Sequence, residues 1–220
     1  MEKVFIVDDH PVIISGLRAL LEEKGGYRVT GEAGSISEAM ESLCIDIPDY
    51  IIVDVELCSG INGIELVRIV RKSFPQVRII VMSMDDGALY AERAIKAGAR
   101  GFVSKADLAD TIFNAIETVR SGEIYLSIEV CNIIAENHFR SYFQPSAGSD
   151  IANLTDREFE VFQLIGRGYK RDEIAERLKI SANTVDVYRR KIRLKLSIPS
   201  TSGLTRFAIK HAAEIFNIQP

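Results

Sequence analysis

Three carboxylates, a hydroxyl and an ammonium stand directly behind short apolar runs in the first half of this chain. VFIV at 4–7 leads into Asp8 and Asp9, YIIV at 50–53 into Asp54, RIIVM at 78–82 into Ser83, and GFVS at 101–104 into Lys105. Each run has the length and the Val/Ile content of a buried β-strand. In a parallel α/β sheet the carboxyl ends of the strands share one edge, and that edge is where such sheets bind ligands. Five polar side chains meeting there make a poor core. Hard oxygen donors beside one ammonium suit a divalent cation and an incoming phosphoryl group.

The elements needed to bring these residues together are legible in the spacing. Up to about residue 120 the strand runs alternate with amphipathic stretches: PVIISGLRALLEEK, SEAMESLC, GIELVRIVRKSF, ALYAERAIKAG and DLADTIFNAIETVRSG. That alternation is a (βα)5 pattern, the signature of an α/β domain with a parallel sheet. Pro11 fits the first position of a helix, where its missing N–H costs nothing, and Gly98 fits a helix C-cap. The alternation stops after Ser121. A further helix is expected near 128–143, followed by the polar segment QPSAGSDIAN, which reads as a linker.

Composition limits what this edge can serve. A chain of 220 residues that is 47% hydrophobic has material for two modest domains. Its net charge of −4 is uneven: residues 1–150 hold 14 Lys plus Arg against 23 Asp plus Glu, and residues 151–220 hold 13 against 8. An acidic module of charge −9 is thus joined to a basic one of charge +5 that suits a polyanion. Cys44, Cys58 and Cys131 are odd in number and lack metal-ligand spacing, so reduced thiols of a cytoplasmic protein are expected, buried as small hydrophobes. No apolar run reaches the roughly 18 residues of a membrane span, and MEKVFIVDDH places acids where a signal peptide has its apolar region.

In the second half, Thr155 with Glu158 three residues on forms a capping-box signature, and Phe159, Phe162, Leu164 and Ile165 supply a buried face that runs until Gly168. RDEIAERLKI and SANTVDVYRRKIRLKL then read as two helices joined by a turn, and STSGLTRFAIKHAAEIF as a fourth helix. This is a helix-turn-helix pattern. At 100° per residue Val185, Ile192 and Leu196 share one face, with Tyr188 beside it, which assigns that face to the core. Asn183, Val187 and Arg190 fall on the opposite face, with Thr184 and Asp186 next to them and Lys191, Arg193 and Lys195 flanking. On DNA such a stripe offers Arg190 to guanine or phosphate and Val187 to a thymine methyl.

The motifs DDHP at 8–11, VDVEL around Asp54, Asn62-Gly63, MSM around Ser83, KAGARGFVSK at 96–105, LTDRE and ANTVDVY occur in order across nearly the whole chain. Together they resemble a two-component response regulator of the NarL/FixJ type. The resemblance implies a receiver domain over 1–122, a linker with a helix over 123–152 and a LuxR-type helix-turn-helix domain over 153–220. It implies a flavodoxin-like doubly wound sheet of order 2-1-3-4-5, then an all-α domain of four helices. Asp54 is then the phosphoacceptor, and Mg²⁺ is held by Asp8, Asp9, Asp54 and the backbone carbonyl of Glu56. Lys105 pairs with the phosphoryl oxygens, Ser83 donates to the aspartyl phosphate, and Phe102 takes the place of the aromatic switch.

The implied partners are a sensor histidine kinase, double-stranded DNA at Asn183, Thr184, Asp186, Val187, Arg190, Lys191 and Lys195, and a second copy when active. Such a protein has no enzymatic activity beyond its own phosphorylation and dephosphorylation. The chain departs from the family in three places: Leu57-Cys58-Ser59-Gly60 and one extra residue before Asn62, the acids Glu56 and Asp85 near the site, and Asp186 where Lys is usual. Asp186 is expected to accept from cytosine or to orient Arg190. His10, between Asp9 and Pro11, reads as a surface or capping residue. Two other readings stay open: a regulator that works without phosphorylation, and a Mg²⁺-dependent phosphohydrolase. Against the latter, no second acid-base carboxylate follows the first strand in a DxD arrangement.

Overall fold

Branched side chains restrict χ1 and pack well on a pleated surface, and the Val/Ile-rich runs accordingly form β1 (Glu2–Val7), β3 (Tyr50–Asp54), β4 (Arg78–Ser83) and β5 (Gly101–Ser104). They are seen in a computed structural model, which describes residues 1–57, 63–84, 88–143 and 151–216. The remaining strand, β2 (Tyr27–Ala33), has no apolar run: YRVTGEA buries Tyr27, Val29 and Ala33 and leaves Arg28 and Glu32 exposed or half-exposed. All pairings are parallel, in the order β2-β1-β3-β4-β5. The expected (βα)5 domain and strand order are therefore present.

Helices α1 (Pro11–Lys24), α2 (Ile36–Ile45), α3 (Gly63–Ser73), α4 (Ala88–Ala97) and α5 (Leu108–Arg120) connect and cover the strands. On one face Ile6, Ile52 and Ile80 pack with Leu17 of α1 and Ile112 and Ile116 of α5. The alternate residues Phe5, Ile51, Ile79 and Val81 are buried too, because α2, α3 and α4 lie against the sheet. With both faces covered, a one-residue slip exchanges two buried sets, and each buried Ile contributes roughly 1.5–3 kcal/mol to holding its place. That rigidity fixes the height at which each strand delivers its terminal polar residue.

Local signals set the ends of the elements. Pro11 occupies the start of α1, and Gly98 lies just past α4 at φ 118°, where an added Cβ would stand 2.6 Å from Arg71 Cγ. Sequence alternation ends at Ser121, yet the sheet edge extends a little further: Tyr125 bridges Gly101, and its carbonyl accepts from the Phe102 N–H at 3.0 Å. One paired residue leaves no periodicity to read.

The chain divides into two units, Met1–Ile134 and Ala135–Pro220, with the division inside α6 (Ile128–Phe143). Beyond a 3-10 turn at Ile151–Asn153 come α7 (Asp156–Gly166), α8 (Arg171–Arg177), α9 (Ala182–Lys195) and α10 (Thr201–Phe216). The capping box is formed: Thr155 Oγ1 accepts from the Glu158 N–H, and Glu158 Oε2 accepts from the Thr155 N–H at 2.8 Å. Phe159, Phe162, Leu164 and Ile165 are buried, as are Ile174, Val185, Ile192 and Leu204. The expected thiol burial fails where it is described: Cys44 and Cys131 are exposed. Each stands one position, or 100° of helix, after a buried residue, Leu43 and Val130.

Candidate functional site

Strand order reverses between β1 and β3, the topological switch point of a doubly wound sheet. Asp8 and Asp9 follow β1 there, Asp54 is the last residue of β3, Ser83 the last of β4, and Lys105 follows β5. Of the five polar residues predicted to converge, Asp8, Asp9, Asp54 and Lys105 bring their side chains together, and Ser83 stands at the end of the neighbouring strand. Lys105 Nζ lies 2.7 Å from Asp8 Oδ2 and 2.8 Å from Asp54 Oδ2, a buried ion triad across three strands. The Lys105 N–H also donates to the Ser83 carbonyl at 2.8 Å, which ties the ammonium's backbone to the neighbouring strand.

Burial decides the electrostatics of Asp54. The residue is 1% exposed, and loss of water is the largest influence on its carboxyl, pushing the pKa up to about 7. Asp8 pushes the same way, while Lys105 and the Glu56 backbone N–H favour the ionised form without overcoming desolvation. The Lys105 ammonium is also disfavoured by burial, but Asp54 and Asp8 together raise its pKa above the usual lysine value. Asp54 Oδ1 is buried with no well-formed hydrogen bond. A buried carboxylate oxygen without a full partner is costly, and a cation or a bonded phosphorus would relieve it.

Ligand atoms of Asp8, Asp9, His10 and Asp54 all lie within 4.8 Å of one another. The set is rich in hard oxygens, as a divalent ion of the Mg²⁺ class requires. His10 is exposed, as the surface reading expects, but it does not cap the helix with its side chain. Instead Nδ1 lies 2.9 Å from both Asp8 Oδ1 and Asp9 Oδ1. The turn that aims the ring is local, held by the His10 N–H donating to Asp8 Oδ1 two residues earlier at 2.7 Å.

Close backbone approach shapes the rest of the pocket. The Gly63 N–H donates to the Val55 carbonyl at 2.9 Å, and a Cβ on Gly63 would stand 1.8 Å from the Asp54 carbonyl oxygen. Only glycine lets α3 begin this close to the acidic strand end. Val55 and Leu57 are buried while Glu56 between them faces outward. Phe102 is buried on β5, one strand from Ser83. Of the altered loop at 57–61 only Leu57 is among the described residues, and Asp85 lies outside them.

In the C-terminal unit, α9 buries Val185, Ile192 and Leu196 and exposes Asn183, Asp186, Val187, Arg190 and Lys191. The core and outward faces are those the helical period predicts. Ser181 caps the helix by accepting from the Thr184 N–H at 3.1 Å, and the two hydroxyls lie 2.8 Å apart.

Comparison with known proteins bears on both units. A response regulator receiver domain model matches residues 4–117, and a model of the bacterial regulatory proteins of the luxR family matches residues 152–208. The chain belongs to the response regulators.

Among curated relatives, the transcriptional regulatory protein MctR of Rhizobium johnstonii is 32% identical over 95% of this chain and 94% of its own. Response regulator UvrY of Escherichia coli is 32% identical over 96% and 95%. A LuxR-family two-component response regulator from Aurantimonas sp. SI85-9A1 has a solved structure that superposes with a TM-score of 0.59 at 33% identity, covering 63% of this chain and 99% of that one. RcsB of Salmonella typhimurium shares the fold over 95% of this chain and 97% of its own, with a TM-score of 0.67 at 22% identity. This response regulator thus joins a receiver domain to a LuxR-type DNA-binding domain.

Two flanking cations of the regulator's α9 are engaged elsewhere, against the sequence reading. Lys195 Nζ pairs with Glu158 Oε2 at 2.6 Å and donates to the Asn153 carbonyl at 3.1 Å. Arg193 donates to the Ile198 and Pro199 carbonyls, closing the turn before α10. Asp186 does not hold Arg190: it accepts from Arg171 Nη1 at 3.3 Å, fifteen residues earlier. Helical spacing finds partners three or four positions away and is blind to these.

Proposed function

We propose that this response regulator is a transcription factor switched by phosphorylation of Asp54. The phosphoryl group would come from a sensor histidine kinase or a small phosphodonor, and its catalysis is confined to its own phosphorylation and dephosphorylation. The observation that carries this reading is Lys105 Nζ within 2.8 Å of both Asp8 and Asp54 at the strand switch point. A carboxylate attacks a phosphoryl group only if repulsion between two anions is cancelled.

Asp8, Asp9, Asp54 and the Glu56 carbonyl would hold Mg²⁺, which when bound neutralises charge on the phosphoryl oxygens. Lys105 supplies the second positive charge and keeps the Asp54 carboxylate aimed out of the strand. Ser83 donates its hydroxyl to the phosphoryl group once formed, and Phe102, whose N–H is bonded to the Tyr125 carbonyl at 3.0 Å, follows that change toward the α5 surface. A switch of this kind biases two states of one surface.

The receiver domain extends over 1–122 and the DNA-binding domain over 153–220, with α6 between them. DNA lies along α9, read by Asn183, Thr184, Asp186, Val187 and Arg190, while Lys191 meets phosphate. Lys195 is better placed as a brace for α9 than as a phosphate contact, because its ammonium is on Glu158. The active form is a dimer, and the protein works in the cytoplasm; no described helix is long and apolar enough to cross a membrane.

The test is intact mass after incubation with acetyl phosphate and Mg²⁺, with DNA binding followed in parallel. A labile phosphoryl adduct on wild type, none on Asp54→Asn, and tighter DNA binding by the adduct are expected. Sound DNA binding with no adduct would overturn the phospho-switch.

A further inference from the structure

An acid on the outward face of a DNA-reading helix is the least expected residue of the C-terminal unit. Asp186 is exposed between Asn183 and Arg190, so it belongs to the surface a duplex would meet. The backbone phosphates repel it. Two features of the structure make its presence intelligible, and neither is visible in the helical period. Arg171, the first residue of α8, reaches across the turn and donates from Nη1 to Asp186 Oδ2 at 3.3 Å, and the same guanidinium pairs with Asp172 Oδ1 at 3.1 Å. Both partners of the Arg171–Asp186 pair remain about half exposed, with side chains 46% and 52% accessible. Asp186 is thus oriented by one oxygen and still open to solvent.

Resting on the DNA-binding reading above, we infer that Arg171 and Asp186 form a specificity pair: Asp186 reads a cytosine, and Arg171 holds it in place while contacting the adjacent phosphate. A carboxylate only accepts hydrogen bonds. In the major groove it can accept from cytosine N4 or adenine N6, and adenine sets the acceptor N7 beside N6, which repels a carboxylate, whereas cytosine carries a C–H next to N4. Guanine and thymine present acceptors at the corresponding places. The helix before the reading helix crosses the DNA backbone in helix-turn-helix complexes, so the start of α8 is where a guanidinium meets phosphate. Arg171 has donors enough for Asp172, Asp186 and a phosphate oxygen together. The local charge that Asp186 brings is thereby offset at the point where phosphate repulsion would be strongest.

The pair makes separable demands on an experiment. Full-length phosphorylated protein is used to select sites from a randomised duplex library, and affinity for the selected site is measured over a salt series, for wild type, Asp186→Ala and Arg171→Ala. Wild type is expected to select one cytosine per half-site opposite Asp186. Asp186→Ala should lose that preference, with about a tenfold or greater fall in discrimination, and should bind unselected DNA as well or better. Arg171→Ala should blur the same position and reduce the slope of log affinity against log salt by about one per half-site. An unchanged selected sequence in Asp186→Ala would overturn the cytosine reading, and an unchanged salt slope in Arg171→Ala would overturn the phosphate role. Wild type that selects no sequence at all would instead bring down the DNA-reading assignment on which the pair rests.

Discussion

The nucleophile proposed at Asp54 is also a buried acid, and the two demands conflict. Its pKa near 7 arises chiefly from desolvation, so close to neutrality a large fraction is protonated and unable to attack. In folding terms the native state binds a proton that the unfolded chain, with its ordinary carboxyl, gives up near pH 4. The stability linked to that proton is complete below about pH 4 and is lost as pH rises toward 7. In EDTA, the receiver transition of wild type should therefore weaken by roughly 2–3 kcal/mol from pH 5 to 8 relative to Asp54→Asn, which has no such proton. Parallel pH dependence of the two unfolding curves would show that Asp54 is not the titrating group. With Mg²⁺ added at pH 8, wild type should gain stability and Asp54→Asn should gain less, since a ligand carboxylate is missing.

Among elements, α9 is held at its last turn by a contact that its own sequence does not announce. Val185 and Ile192 bury one face, while Lys195 in the last turn reaches Glu158, the capping-box acid of α7. Burial alone would raise the Glu158 pKa, but Lys195 and the Thr155 donors outweigh it and hold the carboxyl below the usual glutamate range. Its contribution to stability is present above about pH 4.5 and is lost as pH falls below that. Lys195→Ala strands a nearly buried carboxylate and should destabilise the C-terminal unit by about 2 kcal/mol in urea unfolding of the full chain. The same variant should leave the salt slope of DNA binding unchanged, whereas loss of one phosphate contact would lower it by about 0.9. At the other site, Gly63→Ala places a Cβ against the Asp54 carbonyl; α3 must shift, and acetyl phosphate labelling should fall at least tenfold while DNA binding by the unphosphorylated protein persists.

For the whole molecule, the charge is divided: −9 over residues 1–150, which include the receiver, and +5 over the DNA-binding half at 151–220. Phosphorylation adds negative charge to the acidic half, so tighter DNA binding after phosphorylation has to come from a changed surface or a new dimer, not from net charge. Sedimentation of the phosphorylated protein should show a dimer, and footprinting should show two half-sites about 10 base pairs apart. Asp54→Asn treated with the same phosphodonor should match untreated wild type in both measurements. A monomeric phosphoprotein that still binds two half-sites would move the dimer contact onto the DNA itself.

The sequence alone determined the features that depend on near neighbours. Strand runs ending in Asp8, Asp54, Ser83 and Lys105, the start of α1 at Pro11, the Thr155–Glu158 capping box and the two faces of α9 each follow from residues within a few positions of one another. The interactions responsible are short in range, so a window of sequence contains them. What only the tertiary structure decided are partnerships across the fold: Lys105 placed on both Asp8 and Asp54, Lys195 drawn to Glu158, and Asp186 held by Arg171. A long charged side chain can reach several partners from one backbone position, and which one it takes depends on the packing of elements far apart in the chain.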